Sequence, residues 1–126
     1  MVVMNISKSE LVVLQTLWDE SPLTVGQVIE RVQKTVDWHD NTIKTLLSRL
    51  LEKGAVDRHK DGRQFFYQPL VSRDVVVTEE AEGLLERFFD GRMPRLVAHF
   101  AEGKRLSRTD VEEIEALLKR LKKNAD

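Results

Sequence analysis

Residues 41–69 read NTIKTLLSRLLEKGAVDRHKDGRQFFYQP, which predicts a helix followed by a β-hairpin. In the first half of this stretch, apolar residues recur three and four positions apart, which is the spacing of one buried helix face. Asp40 or Asn41 is expected to cap the helix, and Gly54 to end it, because glycine tolerates the left-handed conformation found just beyond a helix. The apolar face consists of Ile43, Leu46, Leu47, Leu50 and Leu51.

The side chains outside this apolar face are nearly all hydrogen-bond donors. Hydroxyl groups can bind base edges or phosphates, and a guanidinium can form paired hydrogen bonds with guanine or with a phosphate. The pattern therefore predicts a DNA-reading surface made of Thr42, Lys44, Thr45, Ser48, Arg49 and Lys53.

The hairpin is predicted from Asp61-Gly62, which lies between the strand-like runs 55–60 and 63–68. An Asp-Gly pair favours a type I′ turn, because both central residues of that turn need a positive φ. Pro69 is expected to close the hairpin, since it has no amide proton for the ladder. The tip is expected to lie over the DNA backbone or minor groove as a wing, through Arg58, His59, Lys60 and Arg63.

Two further helices are predicted before this stretch. Residues 7–10 and 24–27 both have the Ser/Thr-x-x-Glu/Gln spacing of a capping box, in which two side chains satisfy free amides of the first helical turn. With the helix at 42–53 they form a helix-turn-helix pattern, whose second helix enters the major groove. Residues 1–70 are therefore predicted to be a winged helix-turn-helix DNA-binding domain, mainly α with a small β-hairpin.

Residues 71–126 predict three amphipathic helices, with Pro94 in the first turn of the second and a capping box from Ser107 to Asp110 at the start of the third. Three such helices in about fifty residues are too small to bury all their apolar faces alone, so we expect a helical dimerisation domain. The alternative is a monomer in which these faces pack onto the first domain. The predicted dimer contacts are Leu84, Leu85, Phe88, Leu96, Phe100, Ile114, Leu117 and Leu121.

The charge is distributed unevenly along the 126 residues, although the formal net charge is only -1. Residues 41–63 hold six basic and three acidic residues, a net charge of +3, whereas residues 71–126 hold eleven basic and twelve acidic residues. A basic stretch beside a balanced remainder is typical of a DNA-reading domain joined to a module that does not bind DNA.

Catalysis finds little support in the sequence. The absence of cysteine excludes disulfides, thiolate metal sites and thiol nucleophiles. The three histidines lack the spacing of a metal motif, and His99 with Glu102 forms only a same-face pair. We therefore predict no enzyme, no cofactor and no metal site. No apolar run approaches the ~20 residues of a membrane span, and residues 1–5 lack a basic region followed by an apolar one, so a cytoplasmic location without membrane insertion is expected.

Several of these motifs, in this order, resemble the penicillinase-repressor family of bacterial transcription regulators, the BlaI/MecI/CopY group. The resemblance covers nearly the whole chain. It is carried by TIKTLLSRL at 42–50, EKGAV at 52–56, HKDGR at 59–63, Tyr67, Pro69, LVAHF at 96–100 and Leu106-Ser107.

The resemblance implies a homodimer that represses genes from palindromic operators of the TACA/TGTA type and is released by an inducing signal. It implies that the third helix reads the operator through Thr42, Lys44, Thr45, Ser48 and Arg49, and that the wing contacts the DNA backbone. In the penicillinase branch it implies induction through a membrane sensor protease, which cleaves an Asn-Phe bond in the dimerisation domain.

The bond that matches this cleavage site is His99-Phe100, where histidine stands in place of the family's asparagine. The sequence therefore leaves proteolytic induction open. The copper-responsive branch uses a cysteine-rich metal motif, and the lack of cysteine excludes that route here.

Two alternatives remain at this point. The winged helix could dock on a protein and not bind DNA, in which case salt-dependent binding to random duplex would be absent. Alternatively, DNA binding could be combined with a small-molecule effector pocket between the helices, which a ligand-induced melting shift would reveal.

Overall fold

The computed structural model describes residues 5–125, which form two compact units that divide between Glu80 and Ala81. The first four residues, where the sequence predicted no secretory signal, and Asp126 lie outside the described residues. The predicted functional boundary at residue 70 stays a prediction. The elements are α1 (Lys8–Asp19), β1 (Leu23–Thr24), α2 (Val25–Gln33), α3 (Asp40–Glu52), β2 (Val56–Asp61), β3 (Gln64–Pro69), α4 (Arg73–Phe89), α5 (Met93–Glu102) and α6 (Arg108–Asn124).

Both predicted capping boxes of the first unit are confirmed. The Ser7 hydroxyl accepts from the Glu10 amide at 3.1 Å, while the Glu10 carboxylate accepts from the Ser7 amide at 2.8 Å. Thr24 and Gln27 form the same reciprocal pair at the start of α2, at 3.2 and 2.9 Å. Helices α1 and α2 therefore begin where their side chains satisfy free backbone amides.

The first unit has one continuous hydrophobic core, in which α1, α2 and α3 pack against each other and against the small sheet. The indole nitrogen of Trp18 donates to the Val71 carbonyl at 2.9 Å, which fixes the chain after the sheet onto α1. Among the described residues, no buried side-chain nitrogen or oxygen lacks a partner. The largest fully buried apolar side chains are Val13, Leu14, Leu17, Val28, Val32, Ile43, Leu47, Leu50 and Val56.

The hairpin forms as predicted, but its turn does not. Asp61 pairs with Gln64, so the two loop residues are Gly62 and Arg63, one position later than expected. Among these, only Gly62 has a positive φ, +67°. A type I′ turn needs positive φ at both positions, whereas glycine alone at the first is the requirement of type II′. The predicted type I′ turn is therefore wrong, and Asp61 is the last residue of β2.

The sheet has a third strand that the sequence analysis did not predict. Strand β1 has only two residues, and it pairs antiparallel with β3 to give the order β1-β3-β2. It gives β3 a second hydrogen-bonded neighbour beside Phe66 and Tyr67, and so attaches the hairpin to the start of α2.

The predicted side-chain cap of α3 is absent. The helix is preceded by His39, whose side chain makes no capping hydrogen bond, and Asp40 is its first residue. The Asp40 carboxylate instead accepts a hydrogen bond from the side-chain amide nitrogen of Gln33 at 2.7 Å. The same nitrogen donates to the Trp38 backbone carbonyl at 3.0 Å. The aspartate thus fixes the turn between α2 and α3. At the other end, the left-handed Gly54 is confirmed, with φ of +78°.

The second unit consists of the end of α4 with α5 and α6. The predicted capping box of α6 is confirmed, because Ser107 and Asp110 exchange hydrogen bonds of 3.0 Å in both directions. Pro94 lies in the first turn of α5, as expected. No residue of α5 or α6 is buried. No helix in the described part of the chain is long and apolar enough to cross a membrane.

Candidate nucleic-acid interface

The outer face of α3 carries five of the six predicted reading residues, and all five are exposed. The opposite face of the helix is buried in the core, so the backbone that carries these side chains is held rigidly. A shallow surface groove follows most of the helix, from Asn41 to Arg49. The exposed residues are Thr42, Lys44, Thr45, Ser48 and Arg49.

The Thr45 hydroxyl already makes a hydrogen bond within α3. It donates to the Asn41 carbonyl one turn earlier, at 2.9 Å. A hydroxyl has a single proton, so while this hydrogen bond is kept the Thr45 oxygen offers only its lone pairs to a ligand. Lys44 and Arg49, in contrast, take part in none of the ion pairs formed among the described residues. Their positive charges are therefore available to an anionic partner.

Lys53, the sixth predicted reading residue, has a different position. Its ammonium donates to the Glu10 carboxylate and to the Asn5 carbonyl, both at 2.6 Å. Lys53 is exposed like the other five, with 35% of its side chain accessible, but its charge is paired with the buried carboxylate of Glu10. Its role as a DNA contact stays a prediction.

Glu10 is the buried partner of this ion pair, with an exposed fraction of 1%. Burial alone would raise the pKa of its carboxyl group, but hydrogen bonds from Lys53 and Ser7 outweigh burial and hold the pKa below its ordinary value of 4.5. Glu10 therefore caps α1 and, through Lys53, ties the end of α3 to the start of the chain's first helix.

The wing carries the remaining predicted DNA contacts, and all four are exposed. Arg58 and Lys60 lie on one side of the hairpin near Phe65, with the guanidinium carbon of Arg58 4.1 Å from the ring centroid. His59 lies on the other side and stacks on Phe66 at 5.8 Å. Arg63 belongs to the turn and lines a groove that extends to the start of α2. None of the ion pairs among the described residues involves these wing cations.

Two aromatic residues of the wing were missed in the sequence analysis. Phe65 lies opposite Lys60 and Tyr67 lies opposite Arg58 in the hairpin ladder. The Tyr67 hydroxyl accepts from Arg58 at 3.3 Å. The strand alternation could have placed these four side chains on one face, but only once the register of the turn was known.

The described residues contain no group of three or more histidine, aspartate or glutamate side chains that could hold a metal ion. His99 lies exposed on α5 between Phe89 and Phe100, with ring centroids 5.7 and 5.6 Å away in edge-on contacts. Its surroundings are therefore aromatic. The predicted cleavage bond, between His99 and Phe100, is in the last turns of this helix.

The predicted dimer contacts are partly or largely exposed within the second unit. Phe88 is the most exposed of them, at 71%. A groove along α6 is lined by apolar side chains together with Asp110, Glu113 and Arg120. Of the predicted contacts, Leu84, Phe88, Phe100, Leu117 and Leu121 are exposed, whereas Leu85, Leu96 and Ile114 are half-buried.

Comparisons with known proteins agree with these features. A family model described as Penicillinase repressor matches residues 6–120. The chain is 34% identical over 114 residues to the penicillinase repressor of Bacillus licheniformis, a match that covers 90% of this chain and 89% of that protein. It is 32% identical to the methicillin resistance regulatory protein MecI of Staphylococcus aureus strain N315, over 90% of this chain and 93% of that protein.

A solved structure is also similar. The solution structure of monomeric B. licheniformis BlaI in complex with the blaP half-operator has a TM-score of 0.52 and 39% identity, and the match covers 59% of this chain and 92% of that one. The family match over most of the chain and the identities above 30% lead to one conclusion. The chain belongs to the penicillinase repressor family, which is a family of transcriptional repressors and not of enzymes.

Proposed function

We propose that this protein is a transcriptional repressor that binds a palindromic operator as a homodimer. The observation that carries the proposal is the exposed polar row of α3 beside a basic wing in the same compact unit. Helix-turn-helix proteins place such a row against base edges, while flanking cations contact phosphates. The relative BlaI, whose structure was solved on a half-operator, supports the same use of this unit.

The homodimer is supported by the apolar surface of the second unit. The side chains of Phe88, Leu118 and Leu121 are all more than half exposed, although they follow the periodicity of buried helix faces. We assign a second copy of this chain as the covering partner. The α6 groove contains two carboxylates and one guanidinium among apolar residues, and such a mixed set can complement itself across a two-fold axis. In that dimer two α3 helices would lie about 34 Å apart, one turn of DNA.

Operator binding can be tested by titrating the protein onto a TACA/TGTA palindrome and onto a scrambled duplex at two salt concentrations. We expect tighter binding to the palindrome with two chains per site. Arg49→Ala is expected to weaken operator binding by about 1 to 3 kcal/mol, because a guanidinium contact with a base would be lost. Lys60→Ala is expected to weaken binding to both duplexes and to reduce the salt slope by about one.

Two other results would change the proposal. Equal binding of both duplexes would contradict binding to a TACA/TGTA operator and would indicate a non-specific DNA-binding protein or a different operator. Absence of binding to either duplex, with the fold intact by circular dichroism, would favour the protein-interaction module.

For release from the operator we propose cleavage of the His99-Phe100 bond by a membrane sensor protease. The bond lies in a ten-residue helix that buries no side chain, and a short helix of this kind opens locally at little cost. Mass spectrometry of the chain from derepressed cells should find a fragment that ends at His99. Intact chain in such cells would instead indicate release by a ligand or by titration. The proposed site of action is the cytoplasm, where the operator DNA of a bacterium lies.

A further inference from the structure

The wing contains an aromatic ring that lies within cation–π distance of two cations. In the hairpin ladder Lys60 pairs with Phe65, and Arg58 pairs with Tyr67, so the four side chains share one face. The guanidinium carbon of Arg58 lies 4.1 Å from the Phe65 centroid, and the Lys60 ammonium lies 5.9 Å from the same centroid. Both distances fall within the range of a cation–π contact.

The exposure of Phe65 is not explained by core packing. The ring is 39% exposed and does not belong to the hydrophobic core, whereas Tyr67, two residues later, is buried in that core. The described residues provide no carboxylate partner for Arg58 or Lys60 within ion-pair distance. The ring and the Tyr67 hydroxyl are therefore the groups that hold the Arg58 side chain in place.

We propose that Phe65 is a positioning residue, whose ring holds Arg58 and Lys60 ready to bind DNA phosphates. A ring face attracts a guanidinium electrostatically and leaves the N–H groups at the guanidinium edge free for two phosphate oxygens. Long side chains lose conformational entropy when they bind, and this loss is smaller if they are already ordered. The inference rests on the proposed function, since it assigns a role in DNA binding to a residue that does not itself touch DNA.

The test is a mutant cycle on salt-dependent duplex binding by the full chain. Phe65→Leu keeps an apolar side chain but removes the ring face, and we expect it to weaken binding to operator and scrambled duplex alike by about two- to fivefold. In an Arg58→Ala/Lys60→Ala background the same change should have no effect. Phe65→Tyr, which keeps the ring, should bind like the wild type. An equal loss in both backgrounds would show that the ring contacts DNA itself and would overturn the proposal.

Phe66→Leu is the matched control, because Phe66 is the neighbouring aromatic residue on the opposite face of the hairpin. Its effect should be the same with and without Arg58 and Lys60. Thermal unfolding of each variant separates loss of fold from loss of positioning.

A measurement without DNA separates this inference from the proposed function. The ring current of Phe65 should shift the NMR signals of the Arg58 side-chain protons upfield in the free protein. The shift should disappear in Phe65→Leu and persist in Phe66→Leu. Unchanged Arg58 signals in Phe65→Leu would overturn the positioning role even if the wild type binds DNA. Failure of the wild type to bind any duplex would overturn the proposed function, and with it the role in DNA binding, even if the ring orders Arg58.

Discussion

Both units of this protein contain leucines at helical spacing, but these leucines are buried in the first unit and largely exposed in the second. In the first unit, Leu50 of α3 is fully buried, with 0% exposed. In the second, Leu121 of α6 is 57% exposed, although it also follows a helical apolar periodicity. The comparison shows that periodicity identifies an apolar face but not what covers that face. The first unit completes its core within one chain, and the second is expected to complete its core with another.

The largest effect is expected where the second unit meets its partner. Leu117→Ser with Leu121→Ser should weaken the dimer by about 3 to 6 kcal/mol, because a dimer would bury the exposed halves of four leucines, two in each chain, and serine would gain little from that burial. Sedimentation equilibrium measures the dissociation constant. Lys119→Ser, on the same helix, serves as the polar control and should leave it nearly unchanged. A dimer unaffected by the leucine changes would contradict the proposed interface.

The core of the first unit should respond differently. Leu50→Ala is expected to lower the free energy of unfolding by about 2 to 5 kcal/mol, since it leaves a cavity in a closed core. The loss, measured by urea unfolding, should be the same at all protein concentrations. Leu70→Ala changes an exposed leucine of the same unit, and it should cost less than about 0.5 kcal/mol. A strong dependence of the Leu50 effect on concentration would mean that this core, too, needs a partner.

The buried ion pair gives the first unit a dependence on pH. Because the folded-state pKa of Glu10 lies below 4.5, its contribution to stability is complete above that pH and is lost as the pH falls through the folded-state pKa. Glu10→Gln should reduce the stability at pH 7 by about 1 to 3 kcal/mol, since a charged hydrogen bond is lost. It should also flatten the acid side of the stability curve. Urea unfolding from pH 3 to pH 7 tests both expectations, and an equally steep curve in the variant would contradict them.

The smallest expected effect concerns two matched helix caps, one in each unit. Ser7→Ala and Ser107→Ala each remove the hydroxyl of a capping box and should each cost about 1 kcal/mol. The loss at Ser7 should be independent of protein concentration, because α1 packs in a closed core. Ser107→Ala should lower the melting temperature of the second unit. That melting temperature should rise with protein concentration, because this unit is expected to complete its core with a second chain. Thermal melts followed by circular dichroism at two concentrations distinguish the two, and identical behaviour would remove the difference between the units.

Much of the fold was predictable because it depends on local chemistry. The capping boxes, the left-handed Gly54 and the helical periodicities are encoded within a few residues of one another. The type I′ turn was wrong because the choice between two positions for the loop depends on the register of the strands, which the Asp-Gly pair does not determine. Strand β1 was missed because two residues carry no periodicity.

What the sequence did not reveal at and beside the candidate site has a tertiary cause. Lys53 was expected among the outward-facing donors of α3, and it is exposed, but Glu10, 43 residues earlier in the chain, pairs with its charge. Asp40 was expected to cap α3, but its carboxylate accepts a hydrogen bond from the Gln33 side chain instead. Phe65 became interpretable only when the hairpin register placed it beside Lys60. In each case a side chain of another helix or strand determined the outcome.

The hydrogen bond from Thr45 to Asn41 also bears on how operators of this protein can evolve. An oxygen that can only accept is matched in the major groove by the amino group of adenine or cytosine, whereas thymine offers only an acceptor and guanine only acceptors. At a base contacted by Thr45, exchange of adenine for cytosine therefore preserves a partner, while a transition to guanine removes it. If Thr45 contacts such a base and keeps its hydrogen bond to Asn41, operator variants at that one position are expected to drift more easily by that transversion than by the transition.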